Sequence, residues 1–277
     1  MLDYIIFVVG LIGFSLASYW DLRYTEFPDW LPYSMIISTL FFRGIFSFLD
    51  KNPFLFVNSL LFGVILLAIG LFFYFLKQWG DGDAWLLGAL GFILPDQLIF
   101  GVDTKFPFYT TLIFNFLLVS LIYLIFYSLL LGIRNKKVNK VYVACIKKEK
   151  KALIFTITFF FAFSWISVFL FYFFDFNLNN LLQFILLPFI LTFLLLFSYY
   201  AKTVEKELFR KKVKTSELKE GDVLCEGKWK GLTNEDIKKI KKKHRYVWIK
   251  EGVRFAPVFL ITFLISIFIG DLIFILI

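Results

Sequence analysis

Histidine occurs once in this chain, as His244, and cysteine twice, as Cys145 and Cys225. The two cysteines lie far apart in polar segments and form no C-x-x-C. With a single histidine and no clustered ligands, the common zinc and redox motifs are missing. Charge is scarce too. Only 18% of the 277 residues are charged, against 60% hydrophobic and 22% aromatic, and mean hydropathy is +0.78. So little polar surface excludes a soluble domain of this size and leaves a polytopic membrane protein. Acids are outnumbered, 21 to 30, for a net charge of +9. In such a chain that balance reports lysine-rich cytoplasmic loops near anionic lipid, not nucleic acid binding. The first apolar run lacks a basic leader, since "MLDY" carries an acid, and lacks a small-residue cleavage site. It reads as a retained helix.

What is present in abundance is apolar sequence. A spanning helix needs about 20 mostly apolar residues. Eight runs meet or approach that length: 4–20, 30–48, 53–76, 84–100, 108–132, 152–174, 181–200 and 255–277. Tyr4, Trp20, Trp30, Tyr199 and Tyr200 stand at run ends, where interfacial anchors belong. The expected architecture is an all-α polytopic membrane protein of about eight transmembrane helices. A membrane core covers 1–132, a basic cytoplasmic loop 133–151, two further helices 152–200, a small basic cytoplasmic domain 201–254 and a last helix 255–277. Within 201–254, "GLTNEDIKKIKKKH" reads as a turn, an N-cap at Thr233, acids in the first turn and a lysine-rich helix. His244 is expected in an exposed loop or helix position.

Lysine and arginine set the orientation. Alternate loops 21–29, 77–83, 133–151 and 201–254 hold 27 of them, and the opposite loops only Lys51 and Lys105. The lysine-rich side is therefore expected in the cytoplasm, with both termini outside. Arg43, inside the second run near its outer end, is expected to snorkel outward or pair with an acid. Asp271, inside the last run, is expected near the outer face as a helix-end or packing residue.

Against this background "KQWGDGDAWLLGALG", residues 77–91, stands out. Glycine and aspartate are common turn formers, so a polar connection between helices is the plain reading. Loop parity adds another. Asp21 lies where the first helix enters the cytoplasm, and Asp83 where the fourth leaves it, so the two acids share one membrane face and a similar depth. Two carboxylates brought within about 3 Å share a proton. Such a pair holds a water, one member acting as general base and the other as general acid, and cleaves an amide with no metal or cofactor. Gly80 and Gly82 allow the backbone angles and the close substrate approach that such a site requires. Non-helical backbone at membrane depth is tolerated where it lines a wet cavity or is buried in protein.

These residues carry a resemblance. Gly80-Asp81-Gly82-Asp83 fits the G-x-G-D signature of the GxGD integral membrane aspartyl proteases. The acid in "SYWDLRYTEFPDWL", Asp21, resembles the aspartate at the cytoplasmic end of helix one in type IV prepilin peptidases, with Pro28-Asp29 in the place of that family's later Pro-polar pair. The stretch from "LKEGDVLCEGKWKGLTNEDIKKIKK" to "WIKEGVRFAPVFLITFLI" is similar to the cytoplasmic region and last helix of archaeal prepilin and preflagellin peptidases. The resemblance covers about 1–130 and 215–277. It implies an aspartic endopeptidase with Asp21 and Asp83 as the catalytic pair. Gly80 and Gly82 support the motif, and no cofactor is involved. Its partners would be pilin-like or archaellin precursors with basic leader peptides, or sugar-binding-protein precursors, together with membrane lipids. Three departures accompany it. Family members often carry a lysine two residues after the second aspartate, where this chain has Trp85. The variable motif position is itself acidic, Asp81. The helices of 152–200 are additional to the six of archaeal preflagellin peptidases. Bacterial relatives often add a zinc domain with paired C-x-x-C and an N-methyltransferase activity. With no such pair here, peptidase activity without methylation is expected. A transporter or channel, and a presenilin-like intramembrane protease, are the alternative readings.

Overall fold

A computed structural model describes residues 1–76, 78–96, 98, 100–173, 181–218, 223–225, 232–250 and 252–272. These fall into two compact units, 1–123 with 252–272, and 124–225 with 232–250. The last residues of the final apolar run, 273–277, and parts of the C-terminal stretch that carries the resemblance, 219–222 and 226–231, lie outside the described residues.

The first unit is helical throughout. Its elements are α1 (Leu2–Tyr24), α2 (Trp30–Leu49), α3 (Phe54–Phe75), α4 (Asp81–Ile93), the first part of α5 (Phe108–Ile133) and α10 (Pro257–Phe268). In the second unit the rest of α5 is followed by α6 (Lys136–Lys148), α7 (Lys150–Phe173), α8 (Leu181–Leu208), β1 (Arg210–Lys214), β2 (Val223–Leu224), α9 (Asn234–Lys243) and β3 (Tyr246–Lys250). Among the described residues six helices are long and apolar enough to cross a membrane: α1, α2, α3, α5, α7 and α8. An all-α multi-pass membrane architecture follows. Each of these helices still exposes many large apolar side chains, as lipid-facing surfaces do.

The run 84–100 is not a single span. Its helix stops at Ile93, after 13 residues and about 20 Å, short of the ~30 Å hydrocarbon core. Pro95 explains the stop. The residue before a proline is pushed out of the helical region, and Leu94 sits at φ −120° and ψ 61°. The freed carbonyls at this end find donors from neighbouring helices. Arg43 Nη2 donates to Ile93 O at 3.0 Å and Ser59 Oγ donates to Phe92 O at 2.6 Å. Arg43 therefore neither snorkels nor seeks an acid first. It is buried in the bundle, where its charge meets the carbonyl end of the α4 dipole. Asp271 behaves as expected of a helix-end residue. Beyond α10 it accepts from the backbone N–H groups of Lys105 and Phe106, at 2.5 and 3.4 Å, and from the Thr111 hydroxyl.

Short α4 is gripped along its length by α3. A Cβ on Gly70 would lie 2.8 Å from the Ala84 backbone, and one on Gly63 would enter the Phe92 ring. Small residues let helix backbones approach this closely where lipid offers no hydrophobic drive.

In the second unit the basic stretch 133–151, expected as a loop, is largely helix α6. Asn135 caps it by accepting from Lys137 N at 2.9 Å, and Val138 is buried. The Tyr142 ring meets Tyr200 edge-on at 5.2 Å, and Lys137 pairs with Glu207 at 2.7 Å. An apolar stripe on a lysine-rich helix gives it a side to pack. After α8 comes a three-stranded antiparallel sheet, order β1-β3-β2. Helix α9 covers one face through Ile237, beside Leu218 and Leu232. The α9 start is as read from the sequence. Thr233 accepts from Asp236 N, and the Asp236 carboxylate accepts from Thr233 N, a reciprocal cap. His244 closes that helix and is exposed.

Candidate active site

Asp21 sits on the last turn of α1, buried to 5% exposure. The turn closes on Thr25, which adopts φ 64° and donates its N–H to Asp21 O. The Asp21 carboxylate points at the start of α10. Its Oδ2 accepts the Ala256 N–H at 2.8 Å, and the nearby Phe255 amide also favours its charged form. One turn earlier, Ser18 Oγ reaches Ala256 O at 3.3 Å. The reason is local. Pro257 fixes the first turn of α10, whose leading amides have no partners within the helix, and a carboxylate there also meets the positive end of the dipole. The Arg254 charge acts on Asp21 as well, and the Arg254 carbonyl is anchored by the Tyr123 hydroxyl at 2.6 Å.

Asp83 enters from the other side. Gly80 is the N-cap of α4, with extended φ −73° and ψ 158°, so Asp81, Gly82 and Asp83 fill the first turn. Asp83, three residues past the cap, turns its carboxylate back toward Gly80, whose N–H favours the charged form. The G-D-G-D stretch is thus a helix start rather than a free turn. Trp79, just before it, packs among Phe73, Phe116 and Phe255 and fixes where the helix begins. Gly82 lies under the Phe27 ring, and a Cβ there would come within 2.6 Å of it. Asp81 is exposed and its charge acts on Tyr33. Trp85 stacks edge-on against the same tyrosine at 4.6 Å.

Asp21 and Asp83 come within electrostatic reach of each other, although they lie on helices separated by two others in the chain. Asp83 precedes the apolar stretch of α4. Its carboxyl is pushed up to about 7, by withdrawal from water first and by the Asp21 charge second, against the stabilising Gly80 N–H. With its carboxyl raised to about 7, Asp83 can hold or release a proton near neutral pH.

Four of the residues singled out in the sequence therefore share this place: Asp21, Gly80, Gly82 and Asp83. Sequence reasoning missed the α10 amides, Arg254, Phe27 and Trp79. The available signal was "RFAP", where a proline marks a helix start and brings backbone donors.

A bundle of apolar helices with two carboxylates within electrostatic reach of each other defines a polytopic membrane protein with a candidate paired-aspartate site. Residues 8–133, which hold both acids, match the model of the type IV leader peptidase family. Over 89 residues, 32% of this chain, it is 35% identical to a preflagellin peptidase of Methanocaldococcus jannaschii. Over 129 residues, 43% of this chain, it is 26% identical to the prepilin peptidase EppA of Methanothermobacter thermautotrophicus. The matches span 38% and 34% of those two proteins' own lengths. No solved structure matches the chain.

Proposed function

We propose that this protein is an integral membrane aspartic endopeptidase. It removes short basic leader peptides from type IV pilin-like or archaellin precursors at the cytoplasmic membrane face. The observation that carries the reading is that Asp21 and Asp83 lie within electrostatic reach of each other inside the segment that matches the leader peptidase family. In the proposed reaction Asp21, ionised and held by the Ala256 amide, takes a proton from the attacking water. Asp83 carries the shared proton and later gives it to the departing nitrogen, which balances the hydrolysis without a cofactor. The lysine and arginine asymmetry supports a cytoplasmic site. A substrate with a basic leader in the cytoplasm and an apolar helix in the bilayer presents its junction at that depth. No methyltransferase step is part of this reading.

The test is co-expression with pilin-like, archaellin and binding-protein precursors, followed by mass measurement of each mature N-terminus. Cleavage at the junction by the wild type and not by Asp83→Asn is expected. Intact precursors of all three classes would sink the reading in favour of transport.

A further inference from the structure

Among the described residues, the three-stranded sheet of the second unit has one face covered and one exposed. Val213, Val247 and Ile249 turn toward α9 and pack on Leu218, Leu232 and Ile237. Successive side chains alternate across a strand, and Lys212 pairs with Trp248 and Lys214 with Tyr246. Arg210, Lys212, Lys214, Tyr246 and Trp248 therefore share the opposite face. All five are exposed, Tyr246 to 42% and Trp248 to 48%. The Lys212 ammonium lies over the Tyr246 ring at 5.1 Å.

A face of lysines alone would be an ordinary solvated surface. Two large aromatics on the central strand, set among three cations, are a different composition. Cations with Tyr and Trp are what the headgroup layer of a bilayer accommodates: rings at the apolar boundary, charges on anionic phosphates. The same composition also suits single-stranded nucleic acid. The chain's own path decides between them. Helix α8 has 28 residues, about 42 Å, so roughly 12 Å projects beyond the hydrocarbon core. Strand β1 begins one residue after α8 ends, with buried Phe209 stacked on Tyr127 between them. The sheet is thus delivered to the membrane surface by a span of its own unit.

We infer that the bare sheet face, Arg210, Lys212, Lys214, Tyr246 and Trp248, is a docking surface for the anionic headgroups of the membrane the protein sits in. Each basic residue near such a surface strengthens attraction by on the order of fivefold. This surface is independent of the peptidase reading.

The experiment uses the full chain with Cys145→Ser, Cys225→Ser and Trp248→Cys, labelled at 248 with an environment-sensitive fluorophore. It is reconstituted in vesicles of phosphatidylcholine alone or with about 30% phosphatidylglycerol. The expected result is a blue shift and a severalfold loss of iodide quenching in the anionic vesicles only, reversed by high salt. The triple change Arg210→Gln, Lys212→Gln, Lys214→Gln should abolish the difference. An equal loss of charge on α9, Lys238→Gln, Lys241→Gln, Lys242→Gln, should leave it. Identical signals in both lipids, or an equal effect of the α9 changes, would overturn the inference. So would a response to a single-stranded oligonucleotide and none to lipid. Because labelling at 248 alters the face itself, amide hydrogen exchange of β1 and β3 in the wild-type chain gives a second reading. Protection in anionic over neutral vesicles is expected, and equal exchange refutes the docking.

Discussion

Asp83→Asn keeps the size of the side chain and an acceptor for the Gly80 N–H, so α4 should still start where it does. What it loses is the exchangeable proton. Leader cleavage should fall by at least about 10²-fold, measured on protein that inserts and accumulates like wild type. Asp21→Asn should behave alike, because an amide oxygen can still accept from Ala256 N and hold α10. The double variant should be no worse than either single one, since the two acids act as a unit. Asp81→Asn should keep most activity. That side chain is exposed, and the negative charge acting on Asp83 is that of Asp21. The pH dependence has a definite sign. A carboxyl pushed up to about 7 is protonated below that value and loses its proton above it. With both acids ionised the leaving nitrogen has no donor, so kcat should decline as pH rises through about 7. A profile flat from pH 6 to 8 would contradict the assignment of the proton to Asp83.

At the scale of elements, the start of α4 depends on a contact that no catalytic group makes. Phe27, in the link from α1 to α2, rests on Gly82. Gly82→Val should force that ring aside, at about 1–3 kcal/mol, and reduce cleavage by displacing Asp83. Phe27→Ala in the same chain should restore much of the activity; failure of that rescue would mean that Gly82 matters for another reason. This part of the site was half legible. Asp21 and Asp83 could be read because the motif and loop parity involve side chains. The donors on Asp21 could not, because backbone amides of α10 leave no letter in the sequence. The end of α4 was legible and overridden. Leu94-Pro95 interrupts the run 84–100 in plain view, but apolar length outweighed the proline. Likewise "YVWIK" alternates as a strand should, while "RKKVK" reads as a charge run until a partner strand is known.

For the whole molecule the central expectation is sidedness. Leu22 and Gln78, both exposed and each next to the candidate site, should accept an impermeant thiol reagent as cysteines only in inside-out vesicles, once Cys145 and Cys225 are replaced. Labelling of either from outside would reverse the topology and remove the proposed cytoplasmic site. The multi-pass helical architecture was readable from hydropathy, since six helices among the described residues have both the length and the composition of spans. The division into units was not. Helix α10 is last in the chain yet packs on α1, the first. Contacts between chain ends have no local signature in composition or period.

That closure between first and last helices also has a consequence in time. A ribosome delivers α1 and α4 to the membrane long before it reaches Ala256, so a nascent chain has both aspartates but lacks the amides that hold Asp21. Under the proposed function, competence would then arrive only with α10, and a translation product interrupted before it would carry both acids without the amide that holds the first.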